Sequence, residues 1–507
     1  MTVYSINLGI GWASSGVEYA QAYRSQVFKK LGLDARFIFT DLILADNIAH
    51  LTANIGFDTD QVIWLYNYFT DVKLTSTTTT LEDILAQQEG QVTKMEEGPG
   101  WTRIYYEQDQ LFLTAYWAQN QGRVIDKVEI VSQGILIRKD YYSNLRYCSE
   151  FFVPLDGLVV CMERAFYNQD GSLAYQIFLE NNEEKVYRLP DQIFYSKQEW
   201  MAYFMRSLKL QEEDWVLLDR ETGIGQTVFQ QVKPARLAVV VHAEHYSQSA
   251  SNQDYILWNN YYDYAFTQAR HVDAFILATP RQEEILRQQL GYYYSIQPRL
   301  VTIPVGALEQ LESIRPEAPA YSLVTASRLA SEKHLDWIIE AVVAAKESLP
   351  QLTLDIYGKG GQEDQLQQLI ADKAASSYIK LKGHVAMDAV YPHYQAYITA
   401  STSEGFGLTL MEAVGHGLAM IGLDCPYGNQ TFIENNKNGY LLDFEAGEDW
   451  AQLSTKLAGA IIKLFTEADL VAFQTHSASL AQAYLEDQVG KKWLQLLEGE
   501  SNVSNLS

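Results

Sequence analysis

The chain has 507 residues, 47% of them hydrophobic, and a formal net charge of −25. That length exceeds what one hydrophobic core organises and predicts two or three domains. The negative field repels polyanions, so nucleic acid is excluded as an expected partner and simple electrostatic attachment to acidic lipids is disfavoured; any anionic ligand must be held by a local basic cluster.

No run of 18 or more apolar residues occurs, so no transmembrane segment is expected. The start, Met1 to Leu8, has neither a basic n-region nor a long apolar run and reads as a first strand rather than a signal peptide. Cys148, Cys161 and Cys425 are odd in number and lack CxxC spacing, which predicts a reduced cytoplasmic protein with neither a disulfide framework nor a zinc site. The sequons Asn502-Val503-Ser504 and Asn505-Leu506-Ser507 read as accidental in a frayed tail.

In chain order, residues 1 to about 70 follow a βαβ rhythm: strand Tyr4–Leu8, helix Val17–Leu31, strand Ala35–Phe39. The stretch Gly9 to Tyr19 joins the first strand to the first helix. Its glycines allow a backbone to approach phosphate, but the spacing is not G-x-G-x-x-G. Asp58-Thr59-Asp60 has the look of a metal–diphosphate motif, yet it follows Gly56 in a polar loop and reads as chance. Residues 75–80, Thr-Ser-Thr-Thr-Thr-Thr, suit a loop or an edge strand.

Strand then follows strand: Trp101–Tyr106, Leu111–Trp117, Val124–Val131, Ile135–Tyr141, Val159–Tyr167 and Leu173–Leu179, with turn chemistry at Gln121-Gly122 and Asp170-Gly171. This predicts an antiparallel sheet inserted into an α/β domain. Alternation resumes near residue 195 with strands Trp215–Leu218, Leu237–Val241 and Ala274–Ala278 and a helix Gln282–Leu290. A boundary is predicted at Ser313 to Pro319. A second α/β unit follows: strand Ser322–Ala326, helix Leu335–Ser348, strand Leu352–Tyr357, helix Gln362–Lys373, strands Ile379–Lys382 and Ala396–Thr399, helix Thr409–Gly415, and final helices within 448–497. The expected segmentation is 1–74 and 196–312 for a first Rossmann-like domain, 75–195 for the inserted sheet, 313–485 for a second Rossmann-like domain, and 486–507 for a C-terminal helix and tail.

The most informative motif is Glu404-Gly405-Phe406-Gly407-Leu408-Thr409-Leu410-Met411-Glu412. Two carboxylates flank a flexible glycine loop and a helix start. Glycine lets a backbone come close to a ligand, and a helix start offers unpaired N–H groups to an anion. A sugar diphosphate needs both. Acids also favour any first helical turn, so the pair by itself fits a solvated helix start as well.

Arg328 and Lys333 lie on the turn after strand Ser322–Ala326, at a strand's carboxyl end where open parallel sheets bind ligands. An Arg plus a Lys can neutralise a departing diphosphate without metal; the alternative is two solvated basic residues. His242 ends an apolar strand and can face a cleft, though a structural histidine has the same signature; His242 and His245 lack a third metal ligand at sensible spacing. Gly358-Lys359-Gly360-Gly361 lacks the P-loop Ser/Thr and reads as a tight strand-to-helix turn, and Gly383-His384 closes another strand.

Taken together, these motifs resemble the retaining GT-B glycosyltransferases, built from two Rossmann-like domains, over about residues 320–445. The stretch Gly9 to Tyr19, the strand end Phe39-Thr40-Asp41 and the β-rich insert narrow the resemblance to the A-subunit family of accessory-Sec protein O-GlcNAc transferases of Gram-positive cocci. That resemblance implies the following roles. Arg328 and Lys333 neutralise the UDP diphosphate, and Glu412 binds ribose. Glu404 with the amides of Gly405, Phe406 and Gly407 holds GlcNAc, next to the helix start at Leu408 and Thr409. His242 approaches the sugar, Gly16, Val17, Glu18 and Tyr19 close over the diphosphate, and Gly383 and His384 meet the nucleotide.

It further implies a retained anomeric configuration, UDP-GlcNAc as donor, and no metal or other cofactor. The implied partners are a homologous co-activator B subunit in a heterotetramer and a serine-rich repeat adhesin as acceptor, met on the inserted sheet before export. The implied setting is the cytoplasm or the inner face of the cell membrane. Wall teichoic acid glycosyltransferases share the architecture and are the alternative. A catalytically silent acceptor-binding GT-B partner is the alternative of a different class.

Overall fold

The structure, a computed structural model, describes residues 1–11, 15–106, 110–312, 318–445 and 448–499. Part of the predicted boundary (313–317), the centre of the first glycine loop (12–14) and the tail sequons lie outside the described residues. The chain divides into two compact units, Met1–Val239 with Thr267–Asp273, and Val240–Phe266 with Ala274–Ser507. Among the described residues no helix is long and apolar enough to cross a membrane.

In the first unit, strand Thr2–Asn7 pairs in parallel with Asp34–Phe39 and with Trp215–Leu218, which extend the sheet to Val62–Trp64 and Arg236–Val241 respectively. The helix Gly16–Lys30 starts where predicted because Ser15 and Glu18 form a reciprocal capping box. The threonine run is a loop whose last member, Thr80, caps a short helix Leu81–Ala86 through Asp83.

Among the described residues the inserted sheet has ten antiparallel strands, with Val92–Gly98 at one edge and Ile193–Phe194 at the other. All six strands read from the sequence are present. Val92–Gly98, Arg146–Leu155, Glu183–Arg188 and Ile193–Phe194 are additions to that reading. One face buries Ile104, Leu113, Ile125 and Val128 against Ile84 of the short helix. An aromatic core joins the sheet to its lobe. Trp200, on helix Lys197–Ser207, stacks on Tyr187 (4.7 Å, 22°) and meets Tyr66 edge-on (5.1 Å, 72°).

The second unit contains a six-stranded sheet in the order Ile379–Leu381, Thr353–Tyr357, Ser322–Ala326, Ala396–Ile398, Ala419–Leu423, Gly439–Leu442, all parallel. The strand order reverses between Ser322–Ala326 and Ala396–Ile398. In such sheets the crevice outside that reversal, at the carboxyl ends, is where ligands bind. Helix Leu335–Lys346 holds the frame rigid by burying Leu335, Ile338, Ile339 and Val342 in a core shared with Leu453 and Leu457 of helix Trp450–Thr466. Each such aliphatic side chain contributes about 1.5–3 kcal/mol.

Candidate active site

Strand Ser322–Ala326 runs out into the segment carrying Arg328 and Lys333. Its path is set by the turn after strand Thr353–Tyr357. Leu329 N–H donates to the Lys359 carbonyl (3.0 Å) and Ser327 N–H to the Tyr357 carbonyl (3.1 Å). Gly358 sits at φ +138°, and a Cβ there would overlap the Ser327 carbonyl oxygen. The turn predicted from Gly358-Lys359-Gly360-Gly361 is therefore a seat for the basic loop. Gly358 N–H also donates to the Gly383 carbonyl (2.9 Å), which places Gly383 beside the same seat, with His384 exposed.

Lys333 Nζ lies 2.7 Å from Glu404 Oε2, with both side chains largely buried. Glu404 is fixed by its own carbonyl, which accepts from Tyr427 N–H (2.7 Å) and Gly428 N–H (2.8 Å). The pair joins the two loops on either side of the strand-order reversal. A partly buried ammonium already held by a carboxylate is preorganised for an anion that competes for it. Arg328 behaves differently: its side chain is 69% exposed and pairs with Glu332 at 2.9 Å. Of the two predicted cations, Lys333 meets the acidic motif and Arg328 stands at the surface.

Gly407 (φ +83°) leads into the helix Leu408–Gly415, whose first N–H groups precede any intrahelical acceptor. The Phe406 ring is buried edge-on against Phe432 (5.1 Å), which leaves only its backbone for ligand contact. The Thr409 hydroxyl is 3.0 Å from Tyr397 Oη, and the Thr409 carbonyl accepts from Tyr391 Oη (3.2 Å). Tyr391 Oη also lies 3.4 Å from Glu412 Oε2. The helix start and the second carboxylate are thus braced by two buried tyrosines.

His242 lies just beyond strand Arg236–Val241. A Cβ on Gly405 would stand 2.5 Å from the His242 carbonyl oxygen and 3.2 Å from Ala243 Cα. Ser403 Oγ donates to Glu244 Oε2 (3.1 Å). The structure therefore brings His242 to the Glu404–Gly407 loop. Burial raises the Glu244 carboxyl above its ordinary value, against the lowering effect of the Ser403 bond.

Comparison with known proteins identifies the family and the fold. The GtfA extended beta-sheet domain family matches residues 94–191, and the Glycosyl transferases group 1 family matches residues 311–463. The GtfA subunit of the UDP-N-acetylglucosamine–peptide N-acetylglucosaminyltransferase of Streptococcus pneumoniae serotype 4 is 52% identical over 98% of this chain and 99% of its own length. The chain belongs to this GtfA-subunit family.

Two solved structures are alike over nearly the whole chain. The pneumococcal O-GlcNAc transferase GtfA in complex with UDP and GlcNAc has a TM-score of 0.95, 52% identity and 98% coverage of each chain. A GtfA/B complex has a TM-score of 0.93 and 53% identity, covering 98% of this chain and 99% of that one. The GtfA-type chain has the GT-B fold, as expected from its motifs. The teichoic-type competitor is more distant: the poly(glycerol-phosphate) alpha-glucosyltransferase of Bacillus subtilis is 25% identical over 97% of this chain and 74% of its own length.

The remaining residues expected at the site of this GtfA-family chain, Gly16, Val17, Glu18 and Tyr19, belong to the first unit. The Glu18 carboxylate is buried, accepting from Asn7 Nδ2 (3.0 Å) and from Ser15 N–H (2.6 Å). Its chemistry there is to hold the loop-to-helix turn. Asp58 is paired with Lys29 at 2.6 Å, and no metal-binding cluster occurs among the described residues. Sequence reasoning missed Ser403, Tyr427, Tyr391 and the engagement of Glu244. Glu244 had a signal, since it lies two residues beyond a strand-end histidine. Tyr427 had none, because no spacing rule links Cys425-Pro426-Tyr427 to a carboxylate more than twenty residues earlier.

Proposed function

We propose that this chain is the catalytic subunit of a transferase that moves GlcNAc from UDP-GlcNAc to serine and threonine hydroxyls of a serine-rich repeat adhesin before accessory-Sec export. It works with a homologous partner subunit, in the cytoplasm or at the inner face of the cell membrane, with retention of configuration and without metal. The observation that carries this reading is the partly buried Lys333–Glu404 pair at the strand-order reversal, in a chain 52% identical over 98% of its length to a GtfA subunit.

In the proposed reaction the acceptor Oγ forms a bond to C1 of GlcNAc while the C1–O bond to the β-phosphate breaks. The acceptor proton passes to the departing phosphate. Lys333, with Arg328 at the loop, takes up the charge developing on UDP, and the amides at the start of Leu408–Gly415 add to it. Glu404 and the backbone of Gly405, Phe406 and Gly407 position the sugar, Glu412 the ribose, and His242 the reacting face. No side chain is assigned as a covalent nucleophile, which suits front-face transfer.

The test is transfer from UDP-GlcNAc to a serine-rich peptide, followed by mass spectrometry, with and without a co-expressed partner subunit and with EDTA. HexNAc addition that survives EDTA and gives an α-linkage by NMR is expected. Arg328→Ala and Glu404→Ala should each lower the rate on the order of 100-fold, with the fold intact by circular dichroism. Full activity in both variants removes the site assignment. Transfer to poly(glycerol phosphate) and not to peptide replaces the acceptor, and absence of UDP-sugar binding by calorimetry leaves a silent acceptor-binding protein.

A further inference from the structure

His245 lies outside every role assigned above, and it is fully buried. Its ring is boxed by aromatic side chains: it stacks on Tyr427 (5.6 Å, 19°) and lies against Tyr246 (5.1 Å) and Trp258 (6.1 Å). Both ring nitrogens are engaged. Nε2 is 2.8 Å from Gln289 Oε1, an acceptor, so Nε2 carries the proton. Nδ1 is 2.9 Å from Tyr427 Oη, whose hydroxyl then donates to it. With the ring neutral, both partners are satisfied by the tautomer protonated at Nε2. Burial supports the same state by pushing the imidazole down to about 4.

The segment that His245 terminates is held at several points. The Ala243 carbonyl accepts from Gln282 Nε2 (2.8 Å), and the Glu244 carbonyl accepts from Asn259 Nδ2 (2.9 Å). The Glu244 carboxylate is bound by Ser403, and the His242 carbonyl rests on Gly405. At the far end Tyr427 connects His245 to the acidic motif, because Tyr427 N–H donates to the Glu404 carbonyl at 2.7 Å. Ser403, Glu404 and Gly405 thus receive three attachments from His242, Glu244 and, through Tyr427, His245. A neutral imidazole suits this position because it alone presents one donor and one acceptor on opposite edges of a flat ring that also stacks.

We infer that His245, held between Gln289 and Tyr427, is a positioning residue for the transfer reaction: it sets the Val241-to-His245 segment so that His242 is placed over the Glu404–Gly407 loop. The inference rests on the proposed role of His242, since the rate effect passes through that side chain.

A double-mutant cycle between His245 and His242 tests it, using the full chain with its partner subunit. His245→Ala should lower kcat by about 10- to 100-fold, the cost of misplacing a catalytic group by roughly 1 Å. KM for UDP-GlcNAc should change by less than about threefold, because Lys333 and Glu412 are not displaced. Tyr427→Phe keeps the stack, loses the hydroxyl, and should give a smaller loss of the same kind. In a His242→Ala background both changes should be silent, because the group they position is gone. Should His245→Ala fail to fold, Tyr427→Phe and Gln289→Leu carry the cycle.

Losses that multiply with His242→Ala mark a purely structural histidine and overturn the inference. A readout independent of turnover separates this from failure of the functional reading. A crystal structure of His245→Ala should show the Glu244–Ser403 bond broken and His242 shifted from Gly405. An unmoved segment overturns the inference even if the transferase reading stands, and a shifted segment upholds the positioning even if the acceptor proves different.

Discussion

Gly405 has no side chain because His242 occupies the place where one would stand. The neighbours are backbone atoms, the His242 carbonyl oxygen at 2.5 Å and Ala243 Cα at 3.2 Å from the position a Cβ would take, so nothing flexible can yield. Gly405→Ala should force the two loops apart, cost about 1–3 kcal/mol of stability by overpacking, and lower transfer at least about 10-fold. Gly361 offers the control, since nothing lies within 4 Å of its Cβ position. Gly361→Ala should stay within about 0.5 kcal/mol of the parent and keep its activity. Thermal melts and initial rates on the two variants decide the point; equal behaviour would show that the His242–Gly405 approach has no consequence. At this scale the sequence was informative where chemistry follows from position. Glycines between two acids, a base at a strand end and a histidine after an apolar strand were legible. The pairing of Lys333 with Glu404 was not, because 71 residues separate them and only the fold makes them neighbours.

Secondary-structure elements were legible in proportion to how much they bury. Trp215–Leu218 and Ser322–Ala326 are wholly buried runs, and their bounds coincide with those read from the sequence. Val92–Gly98 is an edge strand with no buried residue, so its sequence Val-Thr-Lys-Met-Glu-Glu-Gly shows no apolar alternation to detect. Glu183–Arg188 is masked in the same way by its charges, and Arg146–Leu155 by a polar start and by Pro154. The sheet they complete contains a second titratable feature. Asp126, on strand Ile125–Ser132, is pushed up to about 6 by burial, with the charge of Asp46 adding to the effect. A carboxyl whose folded value exceeds its unfolded value near 3.8 retains a proton that the unfolded chain releases. Its stabilising contribution is present below about pH 4 and is lost as pH rises through about 6. Asp126→Asn should therefore raise stability by about 1–3 kcal/mol at about pH 8 and change little at about pH 4. Melting curves across that range test it, and an unchanged transition at the alkaline end would mean that the ionised carboxylate is already well solvated.

At the scale of the whole molecule, the chain is two cores with one ligand chemistry assigned chiefly to the second. Its net charge of −25 gives an anion no general welcome, so UDP affinity must arise from local groups. Lys333, Glu412 and the start of helix Leu408–Gly415 all belong to the unit Val240–Phe266 with Ala274–Ser507. A ligand that binds only the native form stabilises what it touches, by about 2.7 kcal/mol at about one hundred times its dissociation constant. Saturating UDP should accordingly slow amide hydrogen exchange in residues 327–334 and 404–416, the two loops joined by the Lys333–Glu404 pair and the helix that follows. The strands of the inserted sheet, Val92–Gly98 and Arg146–Leu155 among them, should exchange as before, since none of the assigned donor-binding residues lies on them. Lys333→Ala should shrink the protection in both loops together, because the ion pair it removes ties one loop to the other. Protection confined to the inserted sheet, with 327–334 and 404–416 unaffected, would move the nucleotide site out of the second unit altogether.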